Sequence, residues 1–529
     1  MTDAVSRRVP GLVIGGSGSN SGKTVTTLAL LCALRARGLN VHAAKTGPDF
    51  IDAAFHAALT ERPAANLDAW MCREAPARPD EDSLPRMPRG LARLLARAQG
   101  RGTFAARPDM LLLEGAMGLY DGGGRGAGCT AQLAAMLGLP VLLILNAHGL
   151  GQSAAALAEG FLRHCPAWAG FCGRPAFAGM LCTHVGGERH VEILREALAP
   201  LEQELNVPLL GLLPRAGAPR LDARHLGLVE AREAVPGLDR QALARWLERH
   251  CRLDQLLTLL GAPLSRPRVK PAAALPGAES ESSASTPLAA AAQTRFFPAR
   301  RGLRPGRAAR PLLGMAWDAA FSFCYADLPA TLQELGVDLA FFSPLKDKAP
   351  PRGCRGLYFP GGYPELHAQD LAANAPMREA LRRLAAQGVP IYGECGGYIY
   401  LMHSVSHAGQ TYPMSGLLPL HCVMGQTRAA LGYRAALALH GWPGRDGPLW
   451  ARGHEFHYGR TAEQDLPPGC CPLWELYDSR GLLLGREGCR LGSVAGSWLH
   501  LYPEGSRRFW RAWLASLRFP EIQPQGRHV

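Results

Sequence analysis

The stretch Gly11–Leu31, GLVIGGSGSNSGKTVTTLALL, decides the fold of this chain. A short apolar run ends in a glycine-rich turn, and a helical pattern opens at Gly22, Lys23 and Thr24, giving strand, loop and helix in that order. Backbone N–H groups of such a turn, lined here by Gly18, Ser21 and Gly22, converge on phosphate together with the helix N-terminus. Lys23 then reaches the terminal phosphates and Thr24 can ligate magnesium. The spacing departs from the usual G-x-x-x-x-G-K-T: Ser17 stands where the first glycine would be, and Gly16 leaves five intervening residues. A loop-helix phosphate site accommodates that change.

Further along, KTGPDFIDAAFH carries Asp49 and Asp52 just past a predicted strand end. LLLEGAMGLYDGG puts Glu114 at the C-terminal end of another strand and Asp121 in the glycine-rich loop after it. In an open α/β sheet these strand ends gather on one edge, where carboxylates can hold the magnesium that neutralises phosphoryl charge. The runs GLVIGG, DMLLLEGAMG and PVLLILNA alternate with helical patterns, the signature of a parallel sheet with crossover helices. PLLGMAW, YADLPATLQELG, VDLAFFSP, GLYFPGG and VPIYGEC repeat the scheme in the C-terminal half. The expectation is therefore two α/β domains, over 1–260 and 311–520, with a flexible Ala/Pro/Ser/Arg-rich linker over 261–310.

Length and composition agree with a multidomain globular protein: 529 residues, 47% hydrophobic and 19% charged. The net charge of +13 invites a nucleic-acid reading, yet Ala262–Arg310 alone holds nine Lys/Arg against two Glu, about half of the excess. The remainder suits an anionic small-molecule substrate, with no nucleic-acid partner expected. Fourteen scattered cysteines, without any C-x-x-C, point to reduced thiols in a cytoplasmic enzyme. The N-terminus lacks a signal-peptide core and no segment has the length of a membrane span.

In the C-terminal half, GECGG fits G-x-C-x-G, a cysteine version of the nucleophile elbow around Cys395. N–H groups at the start of the following helix, from Gly396, can stabilise an oxyanion, and Gly361 and Gly362 of FPGGYPELH are a second source. GSWLHLYPE offers His500 as a base. RGHEFHYG places His454 and His457 beside Glu455, but the second histidine comes one residue too early for a zinc-protease motif, so a structural strand or a substrate-contacting loop is expected.

Taken with GSNSGKTVTTLALL, KTGPDFIDAAFH, EGAMGLYDG, GGYPELHAQDLAAN, GECGGYIYLM and GHEFHYG, the chain resembles the cobyrinic acid a,c-diamide synthases. The resemblance implies a P-loop synthetase domain of dethiobiotin-synthetase type fused to a class I glutamine amidotransferase domain. It implies tetrapyrrole polycarboxylate, ATP and glutamine as small-molecule partners, Mg2+ as cofactor, an acyl phosphate intermediate, and ammonia released from glutamine. Lys23 and Thr24 would serve ATP and magnesium, and Asp49, Glu114 and Asp121 would handle metal and phosphorylated intermediate. Cys395 would form a glutamyl thioester, with His500 as general base and then acid. Related alternatives are hydrogenobyrinic acid, cobyric acid or nickel-sirohydrochlorin amidation; a regulatory P-loop ATPase has no need of GECGG. Tyr502 stands where class I glutaminases commonly have a glutamate, Asn146 where relatives tend to have aspartate, and Pro360 where glycine is frequent. A homodimer is left open.

Overall fold

The computed structural model describes residues 9–73, 87–100, 107–123, 128–217, 238–266, 310–439 and 448–518. They form two compact units, one from the chain up to Trp70 and from 87 to 266, the other from 71–73 and from 310 onward. Of the expected linker, residues 267–309 lie outside the described residues. All fourteen cysteines are free thiols, and among the described residues no helix is long and apolar enough to cross a membrane.

In the first unit, strands β1 (Gly11–Gly16), β2 (Val41–Thr46), β3 (Ala65–Leu67), β4 (Met110–Glu114), β5 (Val141–Asn146), β6 (Phe177–Val185) and β7 (Leu209–Pro214) build one sheet. Its order is β3-β2-β4-β1-β5-β6-β7, and every pairing is parallel. Strands β1, β2 and β4 are buried at every position, as expected of a sheet covered on both faces. Helix α1 (Lys23–Ala36) covers one of them, burying Leu28, Leu30, Leu31 and Leu34 against Ile14, Leu112 and Leu142. The strand order has a functional consequence: β2, β4 and β1 are neighbours, so the loops at their C-terminal ends open side by side. Gly16 ends β1 because the loop folds back over it; a Cβ there would lie 2.2 Å from Ser21 Oγ.

The second unit contains β8 (Leu312–Ala316), β9 (Asp338–Phe342), β10 (Cys354–Phe359), β11 (Ile391–Glu394), β12 (Ser404–His407), β13 (Gln410–Pro413), β14 (His421–Met424) and β15 (Ala430–Ala438). There follow β16 (Trp450–His457), β17 (Gly459–Thr461), β18 (Trp474–Tyr477), β19 (Leu483–Glu487), β20 (Cys489–Leu491), β21 (Val494–Ser497) and β22 (His500–Leu501). The α/β scheme appears in a six-stranded sheet, β20-β21-β11-β10-β8-β9, parallel except for β20. Two further sheets, β13-β12-β14-β17 and β19-β18-β15-β16-β22, depart from the simple repeat of the first unit. In these two sheets every pairing except β12–β14 is antiparallel. Between β12 and β13, Ala408 and Gly409 (φ 48° and 79°) close a two-residue hairpin.

Strand β11 passes through Cys395 into the helix Gly396–Leu401. The flanking glycines of G-x-C-x-G are required by close approach: a Cβ on Gly393 would sit 2.8 Å from the backbone of Gly397, and one on Gly397 would sit 2.1 Å from Phe359 O. Gly397→Ala should therefore destabilise the protein by about 2 kcal/mol, as overpacking does. Chemical denaturation measures it, and an unchanged midpoint would remove this contact as the reason for the glycine.

Candidate functional site

The first unit concentrates charge at the three adjacent strand ends. Lys23, largely buried, donates from Nζ to Gly18 O at 2.8 Å and lies 3.4 Å from Ser21 Oγ. Gly22, at φ 87°, turns the chain into α1, and Ser21 O accepts from Thr183 Oγ1 at 2.7 Å. Thr24 Oγ1 donates to Glu114 Oε1 at 2.7 Å and lies 3.3 Å from Asp52 Oδ2.

Glu114 is fully buried, and both of its oxygens are engaged. Oε1 also accepts from Lys45 Nζ at 2.8 Å, and Oε2 accepts from His56 Nε2 at 2.7 Å. Lys45, at the end of β2, donates as well to Asp52 Oδ2 at 2.5 Å and lies 3.8 Å from Asp49 Oδ2. Burial alone would raise the Glu114 pKa, but Lys45 and His56 overcome it and hold the carboxyl well below its ordinary range. Burial works against the charge on Lys45 too, yet Glu114, Asp52 and Asp49 drive its pKa up. Asp52 is pushed up to about 8 by burial and by the charges of Glu114 and Asp49, against the pull of Lys45. Three carboxylates thus share one ammonium, and their mutual repulsion works against ionisation of Asp52.

Asp49 and Asp121 are placed differently. Asp49 caps helix α2 (Phe50–Thr60), its Oδ1 accepting from Ile51 N and Asp52 N at 2.9 and 3.1 Å. Asp121 is exposed, accepts from Gly118 N at 2.8 Å, and contributes a raising charge at Lys23. Asn146 accepts at Oδ1 from His148 N at 3.0 Å, while its own N–H donates to Ser17 Oγ at 3.2 Å.

In the second unit Cys395 takes φ 47° and ψ −102°, a strained conformation for a side chain-bearing residue. Its N–H donates to Ser497 O at 2.7 Å, which ties the elbow to the strand leading to His500. The ring of His500 lies against Gly361, where a Cβ would come within 2.3 Å of Cε1. Gly362 N would be 2.7 Å from a Cβ on Gly396. The His500 ring thus lies on Gly361, and Gly362 packs on Gly396, the residue that follows Cys395. His454, paired with His500 across β16 and β22, stacks on its ring at 4.9 Å and 15°, and Tyr325 Oη lies 2.8 Å from His454 Nδ1. Tyr502 is buried and turns its ring to Tyr325, 4.9 Å away.

The electrostatics keep this pair uncharged at rest. Burial pushes the Cys395 thiol far up, aided by the charge of Glu365 and opposed by the Gly396 N–H. Burial and the charge of His457 bring His500 down to about 3, against a raising contribution from Glu455.

Residues 12–229 match the CobQ/CobB/MinD/ParA nucleotide binding domain family, and residues 313–507 match the CobB/CobQ-like glutamine amidotransferase domain family. The hydrogenobyrinate a,c-diamide synthase of Rhodobacter capsulatus is 38% identical over 498 residues, covering 93% of this chain and 98% of that protein. The cobyrinate a,c-diamide synthase of Syntrophotalea carbinolica is 34% identical over 508 residues, covering 94% and 98%. The chain belongs to the a,c-diamide synthase family. It is a ligase that joins an ATP-using nucleotide-binding domain to a glutamine amidotransferase domain for amidation in cobalamin synthesis.

Two residues of this diamide synthase's charged cluster, Lys45 and His56, carry no motif of their own in the sequence, and Asp52, read there as one of the strand-end carboxylates, lies in the same cluster. Two signals pointed to them: a lysine ending a buried strand, and Asp52 and His56 spaced to share one face of α2. For the thiol, the raised pKa means that the reactive thiolate is scarce at neutral pH and grows as pH rises. Alkylation of the Cys395 peptide, followed by mass spectrometry without glutamine, should therefore climb steadily through pH 9; a plateau below pH 7 would instead mean a preformed thiolate–imidazolium pair.

Proposed function

We propose that this chain uses one ATP and one glutamine for each of two carboxylates, the a and c side chains of a cobyrinate-type macrocycle, and that Cys395 and Lys23 divide the labour. The observation that carries the reading is the elbow at Cys395, set against His500, Gly361, Gly362 and Gly396. A phosphate loop alone would serve a nucleotide switch equally well. A strained thiol beside a base and backbone donors serves amide cleavage.

In the first unit a substrate carboxylate attacks the terminal phosphorus of ATP, and ADP leaves; the resulting acyl phosphate supplies the leaving group that a carboxylate lacks. Lys23 meets the phosphate charge. The donor types suit magnesium: hard oxygens from Thr24, Asp52 and the Oδ2 of Asp49 lie in one cluster, where three carboxylates face the single ammonium of Lys45. When bound, magnesium would neutralise phosphoryl charge. Glu114, with both oxygens engaged, holds Thr24 and Lys45 in place, and Asp121 stands at the rim for the phosphorylated intermediate.

In the second unit His500 takes the thiol proton as the Cys395 sulfur attacks the glutamine amide carbon. N–H groups of Gly362 and Gly396 receive the oxyanion, His500 returns the proton to the departing ammonia, and water then hydrolyses the thioester. Ammonia displaces phosphate from the acyl phosphate. His454 takes part by stacking: it holds the plane of the His500 ring in a site where Tyr502 replaces an orienting carboxylate.

Two variants test the division. Cys395→Ala should lower glutamine-driven amidation at least about 1000-fold, a loss typical of removing a nucleophile, and leave ammonium-driven amidation at the parent rate. Lys23→Met should abolish product from both nitrogen sources. Mass spectrometry of cobyrinate and hydrogenobyrinate products, each exchange of hydroxyl for amino being resolved, reads both variants and the choice of macrocycle. Ammonium-driven activity lost in Cys395→Ala, or retained in Lys23→Met, would refute the scheme.

A further inference from the structure

Among the buried polar atoms near the nucleophile without a partner is an oxygen of Glu365. Glu365 lies in the 3-10 turn Pro364–His367, directly after the Gly361–Gly362 pair. Its Oε2 is closed off from solvent and meets no hydrogen-bond donor. The turn is fitted against the elbow: a Cβ on Gly396 would lie 2.7 Å from Gly362 N and 2.9 Å from Pro364 Cδ. Burial pushes the Glu365 carboxyl up to about 7. After burial itself, the charge of Glu365 is the largest influence opposing ionisation of Cys395, and it acts on Cys422 in the same sense.

A shielded carboxylate oxygen without a donor is unfavourable, and the cleavage chemistry described above makes no use of it. The ligand expected here brings a suitable donor. Glutamine carries a primary ammonium at the end opposite its reactive amide, and Glu365 places a carboxylate in the turn that packs on the oxyanion glycines. We propose that Glu365 receives the α-ammonium of bound glutamine, so that one contact both selects an α-amino acid amide and neutralises the negative charge facing the Cys395 sulfur. The inference rests on the reading of the second unit as a glutaminase. It makes Glu365 a specificity residue that also couples substrate arrival to thiol activation: burial is the main force holding the sulfur protonated, and a bound ammonium removes the part of the opposition that comes from the Glu365 charge. Simple amides, or glutamine without its amino group, gain neither effect.

The test compares glutamine with glutaramate, which is glutamine without the α-amino group, as nitrogen donors for the full-length protein and for Glu365→Gln. The parent should prefer glutamine by roughly 10- to 100-fold in kcat/KM, the range of a charge-assisted hydrogen bond. Glu365→Gln should lose most of that preference through a loss on glutamine, with glutaramate turnover at or above the parent's, because the charge opposing the thiolate is gone, and ammonium-driven amidation unchanged. A parent that uses both amides equally, or a Glu365→Gln variant that retains the preference, overturns the proposal. Ammonium-driven amidation reports that the variant is folded; if it is lost, the comparison of the two amides on the parent protein decides alone. No glutamine-driven product from the parent at all would strike the glutaminase reading instead.

Discussion

A carboxylate sealed from water stays ionised only when other groups supply what water would have given, and Glu114 shows how completely the first unit is organised around that requirement. Lys45 from β2, Thr24 from the start of α1 and His56 from α2 all converge on its two oxygens. Losing one of them would leave charge stranded in the sheet edge, at a cost of several kcal/mol. Because the three partners come from separate elements, the ion pair also fixes the geometry of the phosphate loop relative to β2 and β4. The hydrophobic sheet supplies the stability, and this cluster supplies the register at its open end.

The second unit solves the opposite problem. Cys395 and His500 are buried without a matching charge, and burial pushes both toward their neutral forms. Position is held by backbone and by rings: the bond from Cys395 N to Ser497 O, the contact of His500 with Gly361, and the stack on His454. The amidotransferase half is thus built for geometry first, with charge appearing only as the reaction proceeds.

Much of this was legible in the chain. The run GLVIGG followed by Gly22, Lys23 and Thr24 announced strand, loop and helix, and GECGG announced a turn in which small neighbours allow a strained cysteine. The partners of Glu114 were harder to read because strand order differs from chain order: β4 inserts between β1 and β2, bringing Thr24 and Glu114 into contact across 90 positions. Lys45 and His56 carry no motif of their own at that distance. The antiparallel sheets after Leu401 were hidden for another reason. Their strands are short and half-buried, and β15 has only one fully buried position in nine, so periodicity gives little signal. Glu365 looked like any acidic residue in a loop, since an orphaned oxygen is a property of packing.

Asp52 gives the charged cluster one more property. Burial and the charges of Glu114 and Asp49 work against its ionised form while Lys45 favours it, so any change in the charge around the cluster tips the balance between its two protonation states.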